Sequence, residues 1–238
     1  MKPVKLLSFL IIIIAFSYKI HAQEVTLYSG SPDILKGQTN LNVEFVYTGL
    51  MVSDLSEDIY LKQKRTEIRK ATDADKFVKK WSADRADFFE PKFIEELNKS
   101  LKKLTIVAAK NSSSSKYTLI IQTIKMEPGY YNGSNGNKRD TYVNLLIKVV
   151  ESDNRDNVLC VFKADKIIGA ADEQSQMLET TIKLTNAYKL AAEKTGKLIV
   201  KICTQKEKVK NDSESEIKKD KKDKKGKKGK KGEDDQEE

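Results

Sequence analysis

The chain has 238 residues, 44 of them Lys or Arg and 35 Asp or Glu, giving a formal net charge of +9. That length suits one domain with a sizeable core. Basic and acidic residues are interspersed along most of it, which excludes a dedicated nucleic-acid groove, where one sign gathers on one face.

In chain order, Lys2 and Lys5 precede an apolar run, Leu6–Phe16, and a more polar exit ending at Ala22. This is the pattern of a cleaved secretory signal, residues 1–22, with a mature chain beginning at Gln23. The apolar run is too short to span a bilayer comfortably, and no later run is longer, so no transmembrane helix is expected after cleavage. The destination is the periplasm or the extracellular space. Removing Lys2, Lys5 and Lys19 leaves 41 basic against 35 acidic residues, a net charge of +6. The single histidine, His21, goes with the signal. A mature chain without histidine excludes Ser-His-Asp and Cys-His catalysis and zinc sites built on imidazole. No metal and no cofactor is expected.

Residues 25–29 and 41–48 alternate apolar with polar and predict two strands, joined through Pro32 and Gly37. Residues 56–70 predict a charged helix opened by Ser56. A longer helix is expected over Asp73–Leu104, with Phe77, Trp81, Phe88, Ile94, Leu97, Leu101 and Leu104 on one stripe and Pro91 starting a new segment or a kink. Trp81 and the Phe88-Phe89 pair are read as core. Three further strands are predicted at 117–126, 141–150 and 158–168, the last two joined by a turn at 153–157. A closing helix, Gln176–Cys203, places Leu178, Ile182, Thr185, Tyr188, Ala192, Thr195, Ile199 and Ile202 on one face. The order β-β-α-α-β-β-β-α predicts an α+β domain over residues 23–203, a mostly antiparallel sheet of about five strands with helices packed on it. Cys160 and Cys203 are expected to pair as a disulfide in an oxidising compartment.

From residue 204 to 238 apolar residues nearly vanish. Lys218–Gly232 carries ten lysines, and Glu233–Glu238 carries five carboxylates. Such a composition predicts a disordered tail. Through its lysines the tail could hold an anionic membrane surface or other polyanion, an attraction that salt screens.

Ser113-Ser114-Ser115-Lys116, Ser152-Asp153-Asn154 and Lys194-Thr195-Gly196 match, in order, three short motifs of penicillin-binding enzymes and class A β-lactamases. Their predicted contexts are wrong for that chemistry. The first stands in a loop before a strand, the second in a hairpin turn, the third inside a helix. The expected function is therefore non-enzymatic, with a histidine-independent hydrolase as the enzymatic alternative. The long loop Glu127–Asp140 offers Tyr130 and Tyr131 beside Lys138 and Arg139. Aromatics next to bases on a loop between rigid strands predict a surface for an envelope protein or a glycan.

The stretches "YTLIIQTIKMEPGY", "VLCVFKADKIIGA" and "AYKLAAEKTGKLIVK", which come after the long helix, resemble a group of exported bacterial α/β domains. The group includes Bacteroidota-type domains of unknown function. It also includes the accessory folds of penicillin-binding-protein activator lipoproteins, the curli-secretion lipoprotein and the N-terminal domain of TolB. The resemblance implies a non-enzymatic domain that binds other envelope proteins. Many of these relatives are lipid-anchored, and no cysteine follows the apolar run here, so an acyl anchor is not expected.

Overall fold

The computed structural model describes residues 24–132, 137–170 and 180–228, with 131–132 and 206–228 described by backbone alone. The expected signal, residues 1–22, lies outside the described residues.

β1 (Glu24–Gly30) and β2 (Asn40–Val46) form where alternation predicts them. A 3₁₀ turn, Pro32–Leu35, joins them and buries Leu35. Two-residue strands β3 (Met51–Val52) and β4 (Leu55–Ser56) lead into α1 (Glu57–Glu67) and α2 (Ala71–Asp84). A π turn, Arg85–Phe89, connects α2 to α3 (Glu90–Leu101), which carries Pro91 in its first turn. Arg85, Phe89 and Glu90 keep helical angles and the Glu90 N–H bonds the Arg85 carbonyl, so the helix runs on through the π turn and Pro91 follows directly on that irregularity, where interior prolines are accommodated. The chain continues as β5 (Val107–Ala109), β6 (Tyr117–Glu127), the short strands β7 (Tyr130–Asn132) and β8 (Asn137–Arg139), β9 (Tyr142–Glu151), β10 (Val158–Ile168) and α4 (Thr180–Lys228).

The class is α+β, as the element order predicts, but the sheet is larger and more mixed than expected. Eight strands share it, in the order β1-β10-β9-β6-β2-β5, with β3 beside the far end of β6 and β4 beside β3. β1, β10, β9 and β6 are antiparallel neighbours. β2 runs parallel to both β5 and β6, and β3 runs parallel to β6. The parallel pairs arise from the helices: a crossover through α1–α3 returns the chain to the same end of the sheet, where parallel strands can form. Strands of two or three residues escape sequence reading because they offer too few positions for an alternation to register.

Leu119, Ile121 and Thr123 of β6 share a buried face with Leu145, Ile147 and Val149 of β9 and with Cys160, Phe162 and Ala164 of β10. α3 and α4 cover this face. Phe93 of α3 meets Phe45 of β2 edge-on at 5.6 Å, and Tyr188 of α4 bonds Thr123 at 2.6 Å. Ile120, Gln122, Leu146, Lys148, Val161 and Lys163 point the other way and are half-buried.

Two helix faces differ from expectation. On the long helical segment the buried row is Trp81, Phe89, Phe93, Leu97 and Leu101, whereas Phe88, assigned to the core by sequence, is 48% exposed. The π turn adds a residue to the ridge and rotates the apolar face of α3 relative to that of α2. On α4 the buried row is Leu184, Ala187, Tyr188, Ala191, Ala192, Thr195, Ile199, Val200 and Cys203, and Ile182 is 39% exposed. The small residues of this row let α4 approach α3 closely. A Cβ added to Gly196 would lie 2.5 Å from Cβ of Ser100.

The last described buried residue is Cys203, while the backbone of α4 continues to Lys228. Straight-chain Lys and Glu residues and the absence of proline keep that stretch compatible with a helix. Among the described residues no helix is long and apolar enough to cross a membrane. Truncating the chain after Gln205 is expected to move the thermal midpoint of the domain by no more than about 2 °C, because it removes none of the described core. Thermal denaturation of both chains measures this; a drop of many degrees would place part of the core beyond residue 205.

Candidate functional site

The segments α1, α2, the π turn and the start of α4 meet where β6 runs into the β7–β8 hairpin. Among the described residues a cleft of about 310 Å³ opens there. Tyr60, Phe77, Trp81 and Phe89 form its aromatic wall, Leu184 and Pro128 add apolar surface, and Lys80, Asp84, Thr180 and Thr181 form its polar end.

The wall is built by helix geometry. Phe77 and Trp81 lie one turn apart on α2, with ring centroids 6.2 Å apart at 26°. Tyr60 of α1 tilts against Trp81 at 5.3 Å. Burial, and then the charges of Glu67 and Glu127, push the Tyr60 hydroxyl up to about 12. Phe89 stacks on Tyr188 at 5.2 Å with the rings nearly parallel. That places α4 under the cleft.

Among the described residues every charged group at the cleft is bonded to a neighbour. Lys80 donates to both oxygens of Asp84, at 2.8 and 3.1 Å, and to Thr181 Oγ1 at 2.6 Å. Thr181 Oγ1 in turn donates to Asp84 Oδ2 at 2.5 Å. Glu57 accepts from Trp81 Nε1 at 2.6 Å and from the Arg85 guanidinium. The same guanidinium lies 4.3 Å from the centroid of the Tyr47 ring. Tyr47 donates to Glu90, which also takes Lys110 at 2.6 Å. Burial raises the hydroxyls of Tyr47 and Tyr188 well above the usual phenol range. The π turn is thus pinned on both sides, by Glu57 at Arg85 and by Tyr188 at Phe89, and π turns recur at functional positions.

The hairpin predicted as a binding surface rises from the rim of this cleft. Glu127 is buried and accepts from Ser53 at 3.0 Å, from the Gly129 N–H at 3.2 Å and from Arg139 at 3.1 Å. Gly129 has φ +72°, and a Cβ there would meet Thr141 Oγ1 at 2.6 Å and the Arg139 carbonyl at 2.7 Å, so the Glu-Pro-Gly turn needs glycine. Tyr130 is 54% exposed, with the Arg139 guanidinium 5.9 Å from its ring centroid. Lys138 is exposed and pairs by backbone with Tyr131, whose side chain lies outside the described residues, as do residues 133–136. The four expected residues therefore share one hairpin, but sequence reasoning missed the cleft at its foot. Pro128 joins the two features. The signal that could have found the cleft is the Tyr60, Phe77, Trp81 set with its interspersed Lys80 and Asp84, which helical spacing alone assigns to the core.

The three short motifs separate differently from their order in the chain. Ser113, Ser114, Ser115, Lys116, Ser152 and Asp153 line one opening of about 380 Å³. The antiparallel register Tyr117↔Glu151 brings the first two motifs to the same end of the sheet. There Ser152 N donates to the Lys116 carbonyl at 2.9 Å, and the Lys116 ammonium lies 5.3 Å from the Tyr117 ring centroid. The third motif lies on α4. Thr195 donates to the Ala191 carbonyl at 2.7 Å, and Gly196 packs on Ser100.

Cys160 and Cys203 are buried thiols that flank one corner of the fold. Cys160 pairs by backbone with Gly30, and Cys203 donates to the Pro32 carbonyl at 3.5 Å. Burial, with a contribution from Cys203, pushes the Cys160 thiol up to about 12.

No protein-family model matches the chain, and no curated protein matches it. Solved structures that resemble it include a PelC dodecamer from Paraburkholderia phytofirmans and a point variant of that protein. The first is 11% identical over 71% of this chain and 97% of that one, with a TM-score of 0.35. The second is 10% identical over 74% and 97%, with a TM-score of 0.37.

Proposed function

We propose that this chain is an exported, non-enzymatic binding protein of the bacterial cell envelope, and that it docks its partner at the aromatic cleft and the adjoining hairpin. The observation that carries this is the state of the cleft's ionisable groups. Asp84 is tied to Lys80 and Thr181, and Glu57 to Trp81 and Arg85. A general acid or base needs a lone pair or proton directed at a substrate. These carboxylates instead hold the walls rigid, which is what recognition by a preformed pocket requires. Tyr130 and Arg139 extend the surface outward with an aromatic and a base, residue types that concentrate binding energy at protein interfaces.

Capture of envelope proteins on immobilised full-length chain tests this. Tyr130→Ala with Tyr131→Ala is expected to reduce recovery of the captured partner by about tenfold, the loss of one well-packed anchor. A chain ending at Gln205 is expected to capture as well as the full one. Capture that depends on the lysine-rich tail and ignores the tyrosines would shift the function to polyanion binding.

A further inference from the structure

We propose that the cleft accepts one uncharged aromatic side chain of the partner protein and rejects a sugar ring. This deepens the function proposed above and rests on it. The apolar wall of Tyr60, Phe77 and Trp81 would suit either ligand, since both rings stack on aromatics. The polar end decides between them. A sugar brings several hydroxyls, and each one buried without a partner costs free energy. Among the described residues the lining offers a sugar only the hydroxyls of Tyr60 and Thr180, fewer than its ring carries; for more partners the cleft would have to open the Lys80–Asp84–Thr181 triad or withdraw Trp81 Nε1 from Glu57. An aromatic hydrocarbon asks for none of these bonds. It gains the wall and leaves the triad intact.

Size agrees. A cavity of about 150 Å³ suffices for a benzene ring. The 310 Å³ here therefore accommodates one ring together with the stretch of backbone that carries it. The wall rings already pair with one another at 5.3 and 6.2 Å, the separations at which offset and tilted aromatic contacts form, so a further ring can join the cluster. The source of the ring is a protein because the cleft continues through Pro128 into the exposed hairpin with Tyr130 and Arg139, a surface broader than a free aromatic would cover.

Trp81 is the chain's single tryptophan, so its emission reports directly on the cleft. Titrating the full-length chain with N-acetylphenylalaninamide, exciting only tryptophan, is expected to change Trp81 emission with saturation in the millimolar range, about what a single ring supports. Cellobiose and N-acetyllysinamide at the same concentrations are expected to leave it unchanged. Phe77→Ala is expected to weaken the phenylalaninamide response about tenfold, with far-ultraviolet circular dichroism confirming that the variant folds. No saturable change with the ring probe in the wild-type chain, or a change with cellobiose instead, overturns the proposal. The two claims fail separately. If the ring probe binds but partner capture is indifferent to Phe77→Ala and to the hairpin tyrosines, the ring site stands and the docking function falls.

Discussion

Replacing Phe93 with alanine is expected to cost about 3–5 kcal/mol, while Phe88→Ala, five residues earlier, should cost no more than about 0.5 kcal/mol. Phe93 is fully buried and meets Phe45 edge-on across the helix–sheet interface. Its removal leaves a void walled by close-packed side chains that can relax only in part. Phe88 is 48% exposed and has no place in that core. Phe89→Ala should fall between the two. It loses the stack on Tyr188 at 5.2 Å, but the space it leaves lies at the cleft, where water can enter. Urea denaturation of the three variants measures the series. Equal losses at Phe88 and Phe93 would remove the π turn from the account, since a continuous α-helix would bury the other row.

That series also marks how far the fold is legible in the sequence. Alternation locates the long strands to within a residue or two, because β6, β9 and β10 each bury every second side chain against the helices. Spacing locates the helices too, and Pro91 marks the start of α3. Spacing cannot supply a local insertion. The π turn at Arg85–Phe89 moves the apolar row by about one residue, exchanging Phe88 for Phe89, and nothing in the pattern announces it. Its causes are tertiary: Glu57 from another helix holds Arg85, and Tyr188 from α4 receives Phe89. The parallel placement of β2 beside β6 is likewise a consequence of how α1–α3 cross the sheet. The candidate site divides in the same way. Tyr130 and Arg139 are visible as exposed types on a long loop. The cleft is not, because its residues belong to separate segments whose apolar members look like ordinary core until the helices are assembled.

Oxidising Cys160 and Cys203 to a disulfide is expected to raise stability by about 2–4 kcal/mol, chiefly by shortening the loops open to the unfolded chain. Cys160 faces Gly30 across the β1–β10 ladder, and Cys203 lies against Pro32, so the bond would tie the end of the packed part of α4 to β10, one strand in from the sheet edge. The reduced protein carries a marker that the oxidised one lacks. Burial raises the Cys160 thiol from 9.0 to about 12. Because the raised value belongs to the folded state, its effect on stability is neutral below pH 9. The unfolded thiol then ionises while the folded one stays protonated, and stability is lost as pH rises from 9 toward 12. Tyr47 and Tyr188, raised by burial above a reference of 10.0, add losses of the same sign at higher pH, but in both redox forms. The stability gap between oxidised and reduced protein should therefore widen as pH climbs through 9. Urea denaturation with and without reductant from pH 7 to 10 measures it, alongside a mass determination of the chain as isolated without reductant. A gap that stays flat through pH 9 would contradict the raised Cys160 thiol. Both cysteines open to alkylation after unfolding, in protein isolated without reductant, would show that the corner is held by packing alone.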